Sequence, residues 1–599
     1  MSEKIAILGA GYAGVKAAKT LNKKFKQDDS VEINLIDQNL HHTLLTELHE
    51  VAGNRIQSSG VKISLKDIFA TTKVNIITDK INDINTKEQK LISSQEEYNY
   101  DYLVLGVGSE PAYFNIPGME EHAFTLWSLE DAKNINDHIR NMFKLAANEQ
   151  NLKKRKEMLT FIIGGGGFTG IETAGEIAEW TDKLCEQYNI SPQEVNIKVV
   201  EAQNGILPNL RENLSQQAAK YLTQELEVEL LTEASICEVN NNSITINNCN
   251  KEDGYITDTL NQEEEINTRT LIWTGGIKAK DFVKQIGIEL NHRDRIEVND
   301  YLQTSIDNIY AVGDNAYFET EDDNVLPQLV EAALQAGQCA AYNIYADING
   351  KDLKEFNPQL HGEMVSIGPN YAVAELKPIS NLTIPLVGFL AMIFKHLINI
   401  HYLFEVKGFK LIFKYIKEQF SHTKGGIGML VRHFSKKSGT FWLAFLRVFL
   451  GLRFLLEGIS KLQKGWLTSS DGFLVSGASS VLWSEGSPEW YISLLKTFVV
   501  PQQVLFQKVL VLTELAVGLS LIFGCLTILG ALAAAGMSAN FIFGAMGSSA
   551  GIWEPVWLFL ISITMLSGAG KAFGIDYYLI PWLLNLSDQP VEYNKDIPA

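Results

Sequence analysis

Two glycine-rich turns, AILGAGYAG and FIIGGGGFTG, lie about 150 residues apart, each between an apolar run and a helical stretch. Strand, turn, helix is the order of a mononucleotide-binding βαβ unit. In the first, Gly9, Gly11 and Gly14 follow Ile5 to Leu8 and precede Val15 to Leu21. The first glycine permits the tight turn, the second lets the backbone approach a pyrophosphate, and the third lets helix pack on strand. The pyrophosphate then rests on the amides of the helix N-terminus. The next strand, VEINLID, ends in Asp37, 23 residues past Gly14, where a carboxylate reaches a ribose hydroxyl. In the second unit Gly165, Gly167 and Gly170 follow Leu159 to Ile163 and open the helix IETAGEIAEW. Its acid, Glu201, ends VNIKVVEA 31 residues past Gly170, because the intervening segment is longer. A carboxylate there favours a free ribose hydroxyl and predicts NADH rather than NADPH. Two such sites predict two dinucleotides facing each other, and electron transfer between them.

At 599 residues the chain exceeds what one core supports, so several domains are expected. A net charge of −19 argues against a nucleic-acid partner, which needs a basic face. The charge is uneven. Residues 395 to 437 hold nine Lys or Arg against two Glu, a local +7 that leaves −26 on the remainder. The five cysteines, at 185, 237, 249, 339 and 525, show no C-x-x-C pair and no zinc spacing, so neither a disulfide framework nor a metal site is expected. With no apolar signal segment at the start, the nucleotide-binding part is expected in the cytoplasm.

The buried-type strand DYLVLGVGSEP runs into a glycine turn, and NIPG at 115–118 marks a crossing to a second nucleotide domain. That domain ends near TLIWTGG, after which IYAVGDNA at 309–316 leads into the helix LVEAALQAGQCAAYNIYAD. The predicted organisation is a discontinuous domain, 1–118 and 273–378, around an inserted domain, 119–272. From 379 to 437 large apolar faces alternate with lysines, as in helices lying on an anionic membrane surface. Between 438 and 585 four stretches, 441–459, 505–523, 526–543 and 553–569, are apolar enough to span, and 586–599 is a polar tail. The basic residues ahead of the first span place both termini, and the nucleotide-binding part, on the cytoplasmic side of a cytoplasmic membrane. The fold class is therefore α/β, two Rossmann-type domains followed by amphipathic helices and a four-helix transmembrane bundle.

The fingerprints, with HHTLLTELHEVAG (41–53), LVLGVGSEP, LIWTGG and IYAVGDNA, resemble type II NADH:quinone oxidoreductases over residues 1–435. The resemblance implies a membrane flavoprotein carrying FAD that passes two electrons from NADH to a membrane quinone without pumping protons. It further implies that Gly9, Gly11, Gly14 and Asp37 hold the adenosine end of FAD. Gly108, Gly313 and Asp314 would hold the rest of FAD, and Gly165, Gly167, Gly170 and Glu201 would hold NADH. Glu172 matches a family glutamate near the nicotinamide and quinone edges of the flavin, although an acid in a first helical turn is also favoured by the macrodipole. The family's A-Q-x-x-x-Q motif reads VEAALQ here: Gln335 matches the second glutamine and Glu331 replaces the first. A carboxylate there must be paired or protonated, as a proton donor to quinone or as the mark of another acceptor. The tail resembles DoxX-like four-helix membrane proteins, with Arg447, Arg453, Glu457 and Glu514 in or near spans, as functional groups or as structural ion pairs. Arg453 and Glu457, four apart, can pair on one helix face. The competing readings are a sulfide:quinone oxidoreductase, which would need a cysteine pair by the flavin, and a non-catalytic membrane redox sensor or assembly factor. The sequence leaves a homodimer open.

Overall fold

The structure is a computed structural model describing residues 3–579 apart from 253–254, 292–293, 321–324, 380–381, 421–440, 477–478, 481, 485, 547–551, 567–568, 572–573 and 578. It divides into two compact units, Met1–Gly425 and Gly426–Ala599.

In the first unit the apolar runs become parallel strands buried on both faces, as strands covered by helices must be. Strand β1 (Glu3–Leu8) feeds helix α1 (Tyr12–Lys24) and then β2 (Val31–Asp37), β3 (Val74–Thr78) and β4 (Tyr102–Leu105). The short helix α2 (Leu48–Ala52) lies between β2 and β3. A second parallel sheet takes β5 (Phe124–Thr125), β6 (Thr160–Gly164), β7 (Asn196–Val200), β8 (Glu229–Leu231) and β9 (Thr270–Trp273), with α3 (Phe168–Tyr188) leaving the end of β6. Its spatial order is β5-β9-β6-β7-β8. The chain then returns: β10 (Ile309–Ala311) pairs with β4 and completes the first sheet as β10-β4-β1-β2-β3. The second sheet is thus built wholly from residues between two strands of the first. Helix α4 (Val330–Ile348) packs on α1. An antiparallel sheet of β11 (Gly362–Ile367), β12 (Tyr371–Ile379) and β13 (Leu382–Val387) follows.

Two helices, α5 (Phe389–Lys407) and α6 (Phe409–Phe420), end the unit. Helix α5 is apolar on both sides: Lys395 and His396 are buried along with Ala391, Met392, Leu403 and Val406, while Leu390, Phe394, Leu397, Ile398 and Phe404 are exposed. An exposed apolar face fits a membrane surface. Lys395 is buried, Lys407 donates to Asp67 Oδ1 at 3.0 Å, and Lys414 donates to the Ser59 carbonyl at 2.7 Å. These three hold the helices to the protein, while Lys410 is exposed. The expected basic residues from 424 to 437 lie outside the described residues, as does the tail 586–599.

The second unit contains α7 (Phe441–Gln463), α8 (Gln503–Phe523), α9 (Thr527–Ala545) and α10 (Trp553–Met565). Gly524, left-handed at φ 63°, ends α8 and turns the chain into α9. Among the described residues three helices are long and apolar enough to cross a membrane: Phe389–Lys407, Glu489–Phe523 and Thr527–Ala545. Two of the four expected spans, 505–523 and 526–543, fall within these. The other two, 441–459 and 553–569, coincide with α7 and α10, which lie outside that group for different reasons. Helix α7 carries Arg447, Arg453, Glu457 and Lys461, too many charges for a simple apolar span. Helix α10 has 13 residues, roughly 20 Å at about 1.5 Å per residue, short of a hydrocarbon core of about 30 Å.

Candidate functional site

The two glycine turns superpose in their logic atom by atom. Gly9 and Gly165 sit at φ 105° and 111°, open to glycine and strained for other residues. A Cβ on Gly14 would lie 1.9 Å from the Gly9 carbonyl oxygen, and one on Gly170 would lie 1.9 Å from the Gly165 carbonyl oxygen. Those positions are closed by backbone. A Cβ on Gly11 or Gly167 meets nothing within 4 Å, so each of these helix-capping glycines faces open space beside helix amides. That cradle suits a pyrophosphate.

The strand-end carboxylates repeat the parallel. Asp37 accepts from the Ala10 amide at 2.7 Å and the Asn39 amide at 2.7 Å. Glu201 accepts from the Gly166 amide at 2.6 Å and the Gln203 amide at 2.8 Å. Each acid is held at the lip of its turn, where a ribose would lie. Beside the first turn, Gly313 (φ 75°) leads into Asp314, whose carboxylate accepts from Ser109 Oγ at 3.1 Å and is raised in pKa by burial. The Gly108 amide donates to Asn315 Oδ1 at 3.2 Å, which ties the two glycine loops together.

Between the two turns lies a buried charged cluster. Residues 41–56 supply His42, Glu47, His49, Glu50 and Arg55, α3 supplies Glu172 and Glu176, β11 supplies Ser366, and α5 supplies Lys395 and Tyr402. Lys395 Nζ donates to Glu50 Oε1 and to Ser366 Oγ, both at 3.0 Å, and lies 3.3 Å from His49 Nε2. An ammonium has only protons to give. Nε2 therefore accepts, which leaves the ring proton on Nδ1, and that nitrogen lies 3.4 Å from Glu172 Oε2. Arg55 pairs with both Glu50 and Glu176. His42 Nδ1 is 2.9 Å from the Ala10 carbonyl, its Nε2 is 2.8 Å from Tyr402 Oη, and its ring meets Tyr12 edge to face.

Burial governs the electrostatics. It raises Glu47 well above the usual carboxylate range and raises Glu172 as well. It pushes Glu176 up to about 7, against the pull of Arg55. For Glu50 burial acts in the same sense, but Arg55 and Lys395 together hold its carboxyl well below the ordinary value. His49 is lowered well below its usual value and His42 to about 4, both by desolvation, so both rings are neutral near pH 7.

The family profile described as pyridine nucleotide-disulphide oxidoreductase matches residues 3–337, more than half of the chain. The chain belongs to this family. This pyridine nucleotide-disulphide oxidoreductase is also similar at residues 442–590 to the profile described as TQO small subunit DoxD. The type II NADH:quinone oxidoreductase of Staphylococcus aureus strain MSSA476 is 28% identical over 416 residues, which are 69% of this chain and 98% of that protein. The protein of the same name from strain NCTC 8325 is 28% identical over 418 residues, with the same coverages. Among solved structures, NDH2 from Plasmodium falciparum in complex with NADH aligns with a TM-score of 0.60 at 18% identity, covering 70% of this chain and 98% of that one. The sulfide:quinone oxidoreductase of Aquifex aeolicus aligns at 0.53 and 16%, covering 70% and 94%. These structural likenesses show the shared fold.

In this pyridine nucleotide-disulphide oxidoreductase the structure gathers Glu172 with the 41–56 loop, but it does not bring Glu331 or Gln335 to that cluster. Glu331 accepts from the His361 amide and faces its ring Nδ1, and Gln335 exchanges two hydrogen bonds with the Gln359 backbone. The desolvation problem anticipated at Glu331 is answered by that pairing and by partial exposure of its side chain. Arg55, Glu176, Ser366 and Lys395 had not been singled out. Two signals pointed to them: Glu172 and Glu176 share a helix face four residues apart, and Lys395 is a lone charge inside the apolar run LAMIFKHLINI.

Proposed function

We propose that this chain is a membrane-bound NADH:quinone oxidoreductase in which NADH passes two electrons through FAD to a membrane quinone, without proton pumping. The carrying observation is the duplicated cradle: two glycine turns, each open at its middle glycine and closed at its last, each with a carboxylate clamped at its lip. One turn fits FAD together with Gly108, Gly313 and Asp314, and the other fits NADH. The relatives from Staphylococcus aureus, covered at 98% of their length, support the donor and acceptor. We assign 1–118 and 273–378 to FAD and 119–272 to NADH.

Bound FAD supplies the two-electron relay. The chain's residues supply position and protons. The amides after Gly167 and the carboxylate of Glu201 fix the NADH pyrophosphate and ribose, so that the nicotinamide is presented in one orientation. Reduction of a quinone to a quinol consumes two electrons and two protons, whereas NADH brings a hydride; one further proton must come through protein groups. Glu172, raised by burial and 3.4 Å from His49 Nδ1, is placed to hold it. Lys395, Glu50, Arg55 and Glu176 fix the orientation of that pair and balance its charge. The exposed apolar face of α5 lies on the same helix as Lys395, so a lipid-dissolved quinone has a short approach to the cluster.

The second unit anchors the chain as a multi-pass membrane domain, and Lys424, Arg432, Lys436 and Lys437 just before α7 favour the flavin-carrying unit on the cytoplasmic side. Sulfide chemistry is disfavoured by the thiols: Cys185 and Cys339 are buried and unpaired, and desolvation pushes each up to about 11, far from a nucleophilic thiolate. The test is an anaerobic titration. The flavin spectrum should bleach on addition of NADH and recover with a quinone, and absence of bleaching would reject NADH as donor.

A further inference from the structure

Ionisable side chains also collect inside the second unit. On α7, Arg453 pairs with Glu457 and reaches across to Glu554 at the start of α10, its Nη2 lying 2.6 Å from Oε1. Lys461 pairs with Glu514 of α8 at 2.5 Å and lies 3.8 Å from Glu457. Three carboxylates therefore share two cations. The neighbouring charges do not complete the balance. Arg447, fourteen residues before Lys461 on the same helix, donates to the Ala569 carbonyl and has Asp576 as its opposite charge. Lys508, six residues before Glu514, points about 120° away around the helix and joins none of these ion pairs among the described residues. Helix α9 contains no Asp, Glu, Lys or Arg. Glu514 is the most enclosed member, with 1% of its side chain exposed, and its Oε2 is buried without a hydrogen-bond partner among the described residues.

An uncompensated charge in an apolar bundle is strongly disfavoured, and the available remedy is a proton. We propose that Glu514 is a proton-binding carboxyl of the membrane bundle, holding on Oε2 the one proton that neutralises the Arg453, Glu457, Lys461, Glu514 and Glu554 cluster. The proton comes from water, by way of the half-exposed Glu457 and the exposed Glu554, and returns to it: carboxylate plus hydronium gives carboxylic acid plus water. This rests only on the reading of the second unit as membrane-embedded and is independent of the flavin chemistry.

Membranes containing the full chain are treated with the lipid-soluble carbodiimide DCCD, which attacks protonated carboxyls, and adducts are mapped by mass spectrometry. The expected result is an adduct at Glu514 that declines as pH rises and falls to background in Glu514→Gln. It should be absent when a water-soluble carbodiimide replaces DCCD. Lys461→Met, which removes one cation, should move the decline to higher pH, and Lys461→Arg should leave it in place. If one variant fails to accumulate, the infrared carboxylic C=O band of the other, compared with the unaltered chain, reports the same proton. No adduct at Glu514 at any pH, an adduct indifferent to pH, or a decline unmoved by Lys461→Met would overturn the proposal. Retention of the chain in carbonate-washed membranes tests the embedding separately, so failure of that reading is distinguishable.

Discussion

Gly167→Ala separates the dinucleotide cradle from the fold that carries it. The backbone of Gly167 (φ −74°, ψ −174°) is one that alanine adopts without strain, and its Cβ would meet no protein atom within 4 Å. Replacing glycine by alanine at a helix N-cap costs about 0.5–1 kcal/mol, so the thermal midpoint should fall by no more than a few degrees. The methyl instead occupies the space into which the NADH pyrophosphate must come. Forcing a close-packed contact apart costs about 1–3 kcal/mol, which converts to an increase of about 5- to 150-fold in KM for NADH. Gly170→Ala is the counterpart: its Cβ would stand 1.9 Å from the Gly165 carbonyl oxygen and 2.8 Å from Thr274 Oγ1, so the helix must leave the strand and the protein should lose stability. The assay is steady-state turnover at varied NADH, with flavin content and melting measured on the same preparations. A Gly167→Ala enzyme with normal flavin content and a KM within twofold of the parent would refute the assignment of NADH to this turn.

Gly11→Ala should act on the other cofactor, yielding protein of near-normal melting that is purified with less FAD; full flavin occupancy would count against that site. Glu172→Gln should leave anaerobic bleaching by NADH intact and slow recovery by quinone by about a hundredfold, the usual scale of a lost proton-transferring group; an unchanged recovery rate would remove Glu172 from the proton step. For His42 the sign runs with acid. Its folded value near 4 lies below the unfolded 6.5, so the unfolded chain takes up the proton first and stability falls as pH drops from 6.5 towards 4, by up to about 3 kcal/mol. His42→Gln should flatten the pH dependence of the flavin-release temperature in that window, and parallel curves for the two proteins would show that His42 is not its source.

The glycine turns and their acids were legible because they obey local rules: the turn demands glycine, and the strand end places one side chain beside it. The paired acids even take matching amide partners, Ala10 for Asp37 and Gly166 for Glu201. The charged cluster was not legible, because it is assembled from segments hundreds of residues apart, as in the Lys395 to Glu50 contact. At Lys395, Lys407 and Lys414 the missing information was again the partner: alternation with apolar residues shows that two faces differ, and packing alone shows which side chains turn inward. At Glu331 the missing information was the partner, His361, thirty residues away in an otherwise unremarked loop. In the tail, hydropathy located α8 and α9, but the charges of α7 make sense only beside Glu514 and Glu554.

Helix α5 makes an oily footing and the charged cluster two sides of one rod. Lys395 reaches Glu50 and His49 from one side of that rod, and Leu397 and Phe404 stand exposed on the other. On the proposed reading, bilayer thickness and detergent choice become variables of quinone reduction, because a solvent that tugs at Leu397 or Phe404 pulls on the rod that carries the Lys395 ammonium.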